Sequence, residues 1–471
     1  MLNDVKSPPE IVAAVEIDLD VIRRFDHHGP RYTSYPTADR FVEAFDANAY
    51  ESWLARRNVG GIARPLALYV HLPFCSTLCF YCGCNKIVTR DRAKGVTYLK
   101  YLTQEIALQA SALNGDTQVQ HMHWGGGTPN FFALDQVAAL RTRLRDHFDF
   151  KLDGEYSIEL DPRSADAEYV TGLREFGFNR ISLGVQDFDP EVQRAVHRIQ
   201  SEQQTLAVIA AARQNGFCSV NIDLIYGLPK QTLVSFERTL GRVIAADPDR
   251  IAVYNYAHIP TLFRPQRRIR ESDLPSAETR LKLLASAIRL LTAAGYQYIG
   301  MDHFAKQGDA LAVAQRQGRL HRNFQGYSTY GNYDLLALGV SAIGNIGPTY
   351  SQNFRVLQEY YDSLDRNVLP VMRGLELSAD DLLRRAVIRA LMCHFALSKE
   401  SFTASYLIDF DAYFQTELNE LRELEQLGLV ELGDTEITVT PKGRLLVRNI
   451  CMVFDRYLRQ DRERRRYSRV I

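Results

Sequence analysis

Four of the seven cysteines in this 471-residue chain stand within ten residues: Cys75, Cys79, Cys82 and Cys84. The first three are spaced C-x3-C-x2-C, and Cys84 follows after one further residue. Thiols this dense, in a chain without a regular disulfide framework, point to a bound metal. A structural zinc site would need a second Cys/His cluster to complete its ligands, and the rest of the chain offers none. Three thiolates with one coordination position left open suit a 4Fe–4S cluster, whose fourth iron can then take a substrate or cofactor. Phe74, Leu78, Phe80 and Tyr81 are threaded between the thiols and would partly shield a cluster from water. The competing reading is a zinc knuckle or a patch of reduced surface thiols. Cys218, Cys393 and Cys451 lie in apolar surroundings and read as inert buried thiols.

The elements that must position these cysteines follow from the hydrophobic pattern. Apolar runs read as strands at 66–71, 119–124, 156–160, 180–185, 220–226 and 251–256. Helical patterns fall between them at 96–113, 135–148, 166–176, 201–215 and 232–246, and a seventh helix–strand pair follows at 276–294 and 296–301. Short strands alternating with amphipathic helices predict a parallel sheet with right-handed crossovers. The count suits an α/β partial (β/α)6 barrel of the TIM type, with a doubly wound open sheet as the rival. Polar or glycine-rich groups gather at successive strand ends: the cysteine loop, then Gly125-Gly126-Gly127-Thr128-Pro129, then Glu159 and Asp161. Gln186 and Asp187, then Asp223 with Gly227-Leu228-Pro229, and finally Asn255 to His258 continue the series. Convergence at carboxyl ends is where a barrel builds an active site, and a mere scaffold would not require it. The triple glycine would let a polar ligand approach the main chain closely, but it is neither G-x-G-x-x-G nor a phosphate-binding loop.

Three regions follow: an arm at 1–63, a catalytic barrel at 64–350 and a mostly α-helical unit at 351–471. The arm carries a short helical pattern at 18–25 and a Pro/Gly-punctuated loop, RYTSYPTA, whose Tyr32 and Tyr35 read as packing on the next domain. The alternation stops at about residue 350, and helices at 380–394, 412–427 and 444–458 with a hairpin at 428–440 predict a winged-helix-like cap. Seven arginines among three acids at 455–469 read first as a solvated helix face, next as a clamp for carboxylates.

Composition narrows the function classes. Lys+Arg and Asp+Glu both number 56, so no global field draws the chain to nucleic acid or an anionic membrane. No apolar run reaches the ~18–20 residues of a spanning helix. The acidic first twenty residues lack a signal-peptide layout, and a cytoplasmic location is expected. There are no internal repeats.

C-x3-C-x2-C with an aromatic before the third cysteine resembles the signature of the radical S-adenosylmethionine enzymes. The longer stretch, YVHLPFC followed by CGCNKIVTR, resembles one family among them, the oxygen-independent coproporphyrinogen III oxidases. NIDLIYGLPKQT (221–232), GMDHFA (300–305), HRNFQGY (321–327) and the terminal SRVI extend the likeness over nearly the whole chain. The resemblance implies that Cys75, Cys79 and Cys82 ligate a 4Fe–4S cluster and that S-adenosylmethionine chelates its open iron. It implies that Tyr69, Gly126, Glu159 and Ile343 contact this first cofactor molecule, and that Tyr81, Gly127, Thr128, Gln186, Arg198, Asp223 and Ala257 contact a second. Tyr81 departs from the family's usual Phe. Cys84 matches an extra cysteine needed for activity without being a ligand, and Cys84 and Tyr69 are the expected catalytic residues. The implied reaction is the decarboxylation of two propionates of coproporphyrinogen III to vinyl groups, giving protoporphyrinogen IX for haem synthesis. The cluster would receive its electron from a donor such as flavodoxin or ferredoxin. The substrate's four carboxylates call for arginines, with Arg31, Arg198 and the tail as candidates. RYTSYPTA recurs in the family, and the resemblance implies that Tyr32 and Tyr35 contact the substrate instead of only packing. The self-contained layout favours a monomer. Rival readings are a haem-trafficking relative without oxidase activity and a zinc-stabilised nucleic-acid binder.

Overall fold

The computed structural model describes residues 15–25, 29–57, 64–113, 117–329, 331 and 333–460. Six strands form in the predicted order: β1 (Leu66–Leu72), β2 (Gln118–Gly126), β3 (Asp149–Leu160), β4 (Arg180–Gln186), β5 (Ser219–Tyr226) and β6 (Arg250–Asn255). They pair in parallel in that sequence. Helices α1 (Arg92–Ala112), α2 (Leu134–His147), α3 (Ala167–Glu175), α4 (Glu202–Gln214) and α5 (Leu233–Ala245) are the crossovers. Their starts are written locally. Ser201 accepts from Gln204 N at 3.1 Å and Gln204 Oε1 accepts from Ser201 N at 3.3 Å, a reciprocal cap that satisfies two otherwise orphaned donors of α4.

The strands' alternation sorts two chemistries. On β1, Leu66, Leu68, Val70 and Leu72 are fully buried and belong to the main apolar core, while Tyr69 and His71 fall on the other face. That face continues with His121 and His123 on β2, Glu155 and Glu159 on β3, Asn221 and Asp223 on β5, and Tyr254 on β6, around a polar lumen. Parallel strands usually read as continuously apolar because both faces are covered. Here the inner face is polar because it lines a space.

The sheet does not end where the alternation does. After α6 (Ala277–Ala293) come β7 (Tyr296–Gly300) and β8 (His303–Lys306), and β8 pairs antiparallel with both β6 and β7. The seventh helix–strand pair is thus no further parallel repeat. Met301 (φ 52°) and Asp302 turn the chain straight back, too short a connection for a crossover. On the other edge, β9 (Asp334–Leu338) pairs in parallel with β1, and β10 (Ile343–Ile346), β11 (Thr349–Asn353) and β12 (Val371–Glu376) extend the sheet antiparallel. The full order is β12-β11-β10-β9-β1-β2-β3-β4-β5-β6-β8-β7. Residue 350, where the barrel was expected to end, lies inside β11. The alternation read as lost there is a switch from parallel to antiparallel pairing, by short connections up to β11 and by a helix (Leu357–Asp365) between β11 and β12.

The C-terminal unit is built on α7 (Ala379–His394) and a three-stranded sheet of Ala396–Ser398, Glu436–Val439 and Val430–Leu432, so the expected hairpin gains a third strand. Two expected helices are broken. The 412–427 pattern is split at Phe414 (φ −103°, ψ 24°) into Phe410–Tyr413 and Gln415–Gln426. The 444–458 pattern breaks at Asp455, whose Oδ1 accepts from Tyr457 N at 3.0 Å and Leu458 N at 3.2 Å and starts a new helix, Arg456–Gln460. The rest of the arginine-rich tail lies outside the described residues. The arm is clasped by this unit. Tyr32 donates to Asp455 at 3.0 Å, Arg456 N donates to Tyr35 Oη at 3.3 Å, and Arg448 donates to Pro30 O at 2.8 Å. Both arm tyrosines are buried, and both also line a small cavity beside α7, so packing and a ligand contact are compatible here. The expectation for Cys218 is corrected: it is exposed, its thiol donating to Asn179 O at 3.1 Å, because it lies in the short loop between α4 and β5; Cys393 and Cys451 are buried as expected.

Candidate active site

The cysteine loop leaves β1 and is fastened at several points. Phe74–Cys75 pairs in parallel with Ile87–Val88, and Thr89 N donates to Cys75 O at 2.9 Å. Midway, Phe80 N donates to Val196 O at 2.9 Å, the His197 ring reaches Leu78 O at 2.7 Å, and the Phe80 and His197 rings stack at 5.0 Å. His71 ties the loop's far end. Its Nε2 lies 3.0 Å from Asn85 O, a carbonyl that can only accept, so Nε2 carries the proton and Nδ1 accepts from the Tyr69 hydroxyl at 3.0 Å. Burial holds this ring neutral, its pKa pushed below the ordinary histidine value.

A cavity of about 620 Å³ opens beside this loop. Cys75, Cys79, Cys82 and Cys84 line one side, with Tyr81 between them; Gly126, Gly127 and Thr128 form the floor; Glu159, Gln186, Arg198 and Asp223 come from the following strand ends. Three of the expected site residues do not line it. Tyr69 sits one layer behind, its ring stacked on His123 at 6.0 Å. Ala257 is joined to the loop indirectly, Gln266 Nε2 donating at 3.0 Å to both Ala257 O and Tyr81 O. Ile343, on β10, packs against the small apolar cluster of Phe41, Tyr350 and Leu377.

The glycine turn lines the cavity and also has a structural reason of its own. Gly127 N donates to Leu72 O at 2.8 Å, and a Cβ there would stand 2.5 Å from the Pro73 carbonyl group. At Gly126 φ is +114°, and a Cβ would fall 2.6 Å from the His71 ring. These glycines are required first by close approach of the protein to itself, which lets the turn lie under the cysteine loop.

The carboxylates are oriented by neighbours. Glu159 Oε1 lies 3.1 Å from His123 Nε2, and its Oε2 accepts from Gly126 N at 3.3 Å. Burial would raise the Glu159 carboxyl, but the His123 hydrogen bond and charge and then Gly126 outweigh it and hold the group below its usual range. Asp223 accepts from Ser182 Oγ at 2.9 Å and Asn221 Nδ2 at 2.8 Å, yet burial and then the Glu159 charge push it up to about 6. Neither carboxylate pairs with an arginine among the described residues. Asp161 does: Arg163 and Arg198 reach it at 2.6 and 3.2 Å, and both guanidiniums also approach Cys79 Sγ, at 3.8 and 3.6 Å. The Cys84 hydrogen bond, and after it the Lys86 charge, overcome burial to hold Cys82 below the ordinary thiol value. Cys75, 3.6 Å from Thr128 Oγ1, is instead pushed up to about 11 by burial.

Two expected strand-end groups turn away from the site. Asp187 is buried against the helices, accepting from Thr239 Oγ1 and Gln231 Nε2, each at 2.6 Å, and its role is to join β4 to α5. His258 accepts or donates only locally, to Tyr256 Oη at 2.8 Å. His123 and Arg163 were missed. His123 is two residues before the glycines on the inward face of a strand, a period-two signal that could have found it; Arg163 lies in a loop with no such pattern.

The chain matches the family model of the radical SAM superfamily over residues 69–243 and that of the HemN C-terminal domain over residues 377–446. It is 51% identical to the oxygen-independent coproporphyrinogen III oxidase of Salmonella typhimurium over 97% of this chain and 99% of the relative. The same-named protein of Escherichia coli is 50% identical over 98% of this chain and 100% of its own length. The chain belongs to the oxygen-independent coproporphyrinogen III oxidase family. A solved structure, coproporphyrinogen III oxidase (HemN) from Escherichia coli, described as a radical SAM enzyme, superimposes with a TM-score of 0.90 at 49% identity, covering 94% of this chain and all of that one.

Membership makes the chain a radical SAM oxidoreductase working with a 4Fe–4S cluster and S-adenosylmethionine, and the site fits both. Among the described residues no three His, Cys, Asp or Glu side chains converge as they would around a single ion. The three thiols instead face one cavity from three points of a loop, as ligands that each take a different iron must. Two guanidiniums beside Cys79 and an ammonium near Cys82 supply the positive surroundings that thiolates need.

Proposed function

We propose that this chain carries out the oxygen-independent oxidative decarboxylation of coproporphyrinogen III to protoporphyrinogen IX in haem synthesis. The single observation that carries the reading is the 620 Å³ cavity, faced by the three C-x3-C-x2-C thiols on one side and by Glu159 and Asp223 on the other, in a chain alike from end to end to oxidases of that name. When bound, the cluster and S-adenosylmethionine would supply a 5′-deoxyadenosyl radical able to take hydrogen from a propionate β-carbon, so that carbon dioxide is lost, one electron passes to a one-electron acceptor, and a vinyl group results. Cys75, Cys79 and Cys82 hold the cluster as thiolates. Glu159, oriented by His123 and Gly126, offers a fixed anionic acceptor to the methionine end of the first cofactor molecule, with Tyr69 and Ile343 completing its surroundings. Asp223, with Gln186, Arg198, Tyr81, Gly127, Thr128 and Ala257, belongs to the second. Cys84 completes the catalytic set beside Cys82. The walls of the cavity exclude water from the reacting groups.

The reading carries further parts: a one-electron donor of the flavodoxin or ferredoxin type, a monomeric protein, and a cytoplasmic setting. No helix of the described residues is long and apolar enough to cross a membrane. It also divides the chain into arm (1–63), barrel and cap, with the barrel closing at β12, since β11 and β12 hydrogen-bond to the same sheet.

The test is an anaerobic assay of the iron-reconstituted protein with reductant, S-adenosylmethionine and coproporphyrinogen III, following 5′-deoxyadenosine and porphyrin products by mass spectrometry. Loss of two carbon dioxide equivalents with matching deoxyadenosine supports the reading. Deoxyadenosine without decarboxylated product moves the substrate elsewhere. Neither product, together with tight haem binding, replaces the reading with haem trafficking.

A further inference from the structure

A substrate with four carboxylates needs cations, and the three sites singled out from sequence do not supply free ones. Arg31 is paired with Asp302 at 3.0 Å, Arg198 is committed to Asp161, and the last arginines lie outside the described residues. A different group of arginines meets in the lower half of the lumen. Arg322 comes from the His321–Asn323 strand of a short hairpin, and Arg385 and Arg389 lie one turn apart on the same face of α7. All three line a cavity of about 60 Å³ enclosed by the arm, the hairpin and α7.

None of the three forms an ion pair with a described carboxylate. Their nearest polar contacts are weak: Arg385 Nη1 lies 3.5 Å from Tyr350 Oη, and Arg389 Nη1 lies 3.5 Å from His321 Nδ1. Arg322 rests over the Tyr327 ring at 4.8 Å, and its Nε and Nη1 are buried without a hydrogen-bond partner. The region is electropositive enough to act on its neighbours. Burial and then the Arg385 charge push Arg389 below its ordinary value, and burial and then Arg389 hold His321 down to about 3. Like charges gathered away from water, with donors unused, cost the fold stability unless an anion is brought to them. Guanidinium is the group best matched to a carboxylate, which it binds with two parallel hydrogen bonds.

The cavity's position suits the reaction. It shares His121, Asn323 and Ser328 with the lumen, and the lumen shares Glu159, Ser182 and Asp223 with the cysteine-loop cavity, so the three spaces adjoin in series. From His121 to Gly126 along β2 is five residues, about 16 Å at the rise of a strand. A carboxylate of about two waters' bulk fits 60 Å³; a macrocycle does not. We propose that Arg322, Arg385 and Arg389 form the subsite that takes one propionate carboxylate not undergoing reaction, anchoring the macrocycle while another propionate is presented at the cysteine-loop end. The proposal rests on the oxidase reading above.

The test titrates the anaerobic, reconstituted holoenzyme with coproporphyrin III, the stable oxidised tetracarboxylate, and with its tetramethyl ester, by porphyrin fluorescence. The wild type binds the acid more tightly than the ester. In Arg385→Gln/Arg389→Gln, and separately in Arg322→Gln, the Kd for the acid rises at least tenfold and the preference over the ester falls, while S-adenosylmethionine affinity and iron content stay at wild-type values. Arg385→Lys/Arg389→Lys, which keeps charge but loses the planar fork, gives an intermediate Kd. With coproporphyrinogen III the glutamine variants show a raised KM and more deoxyadenosine per vinyl group formed. Acid binding within twofold of wild type in both glutamine variants overturns the proposal and, if the wild type still decarboxylates coproporphyrinogen III, leaves the oxidase reading intact. A wild type that neither binds the acid nor decarboxylates overturns both.

Discussion

Arginine is used in opposite ways at the two ends of the lumen. At the cysteine-loop end, Arg163 and Arg198 converge on Asp161 with side chains 18%, 8% and 9% exposed, and their remaining donors approach Cys79. Near the cap, Arg322, Arg385 and Arg389 converge with no described carboxylate among them, their closest polar contacts at 3.5 Å. The first group is internally compensated and fixes one geometry. The second leaves its charge unspent. A compensated cluster is disturbed by removing its anion, whereas an uncompensated one is relieved by removing a cation. Stability and function should therefore separate at the two ends.

The largest effect is expected at the cysteine loop itself. Cys75→Ser leaves iron incompletely bound and abolishes both deoxyadenosine and vinyl product, measured as iron content and by mass spectrometry. Next is Asp161→Asn, which leaves two buried guanidiniums without their anion and costs about 3–5 kcal/mol, visible as a clear fall in the thermal midpoint. Its counterpart near the cap, Arg389→Gln, leaves the midpoint unchanged or slightly raised. A marked fall there would erase the contrast between the two ends.

Gly127→Ala gives a smaller but still clear loss, because its Cβ would press on the Pro73 backbone, which cannot swing aside as a side chain can. Cofactor affinity, read by equilibrium dialysis, falls more than the midpoint does. The mildest expected effect is a pH dependence. Asp223 is raised from 3.8 to about 6, so its charged form is present above about pH 6 and lost as pH falls through it. The acid limb of kcat/KM should carry this value in the free enzyme and be absent from Asp223→Asn. Stability runs the other way. A raised carboxyl favours the fold most below its unfolded value and loses that contribution as pH rises through 6, so Asp223→Asn gains a little stability at pH 8 and none at pH 3.

Much of the catalytic barrel was open to reading from the residues. The six parallel strands and their five helices stand within a few residues of their expected positions, except that β3 begins seven residues early at Asp149, because apolar periodicity and helix caps are local properties. Of the antiparallel edges only the strand at 296–301 was read, and as a further repeat; the short strands beyond the turn at Met301 and around the hairpin at Gly347 are too short for periodicity to identify. The strand-end rule found Glu159 and Asp223 but also returned Asp187, which faces the helices; one residue of register decides the face, and β4 shifts register between Gly184 and Gln186.

The sequence by itself determined the cofactor chemistry. Cysteine spacing is a short-range feature, and a ten-residue loop brings its own thiols together whatever the rest of the chain does. What only the tertiary structure decided is which charges are free. Arg31 meets Asp302 across 271 residues, and Arg322 and Arg389 are brought near one another by a hairpin and a helix from separate parts of the chain. No local pattern encodes whether a cation finds its anion, because pairing depends on long-range packing that brings some carboxylates within reach and keeps others out.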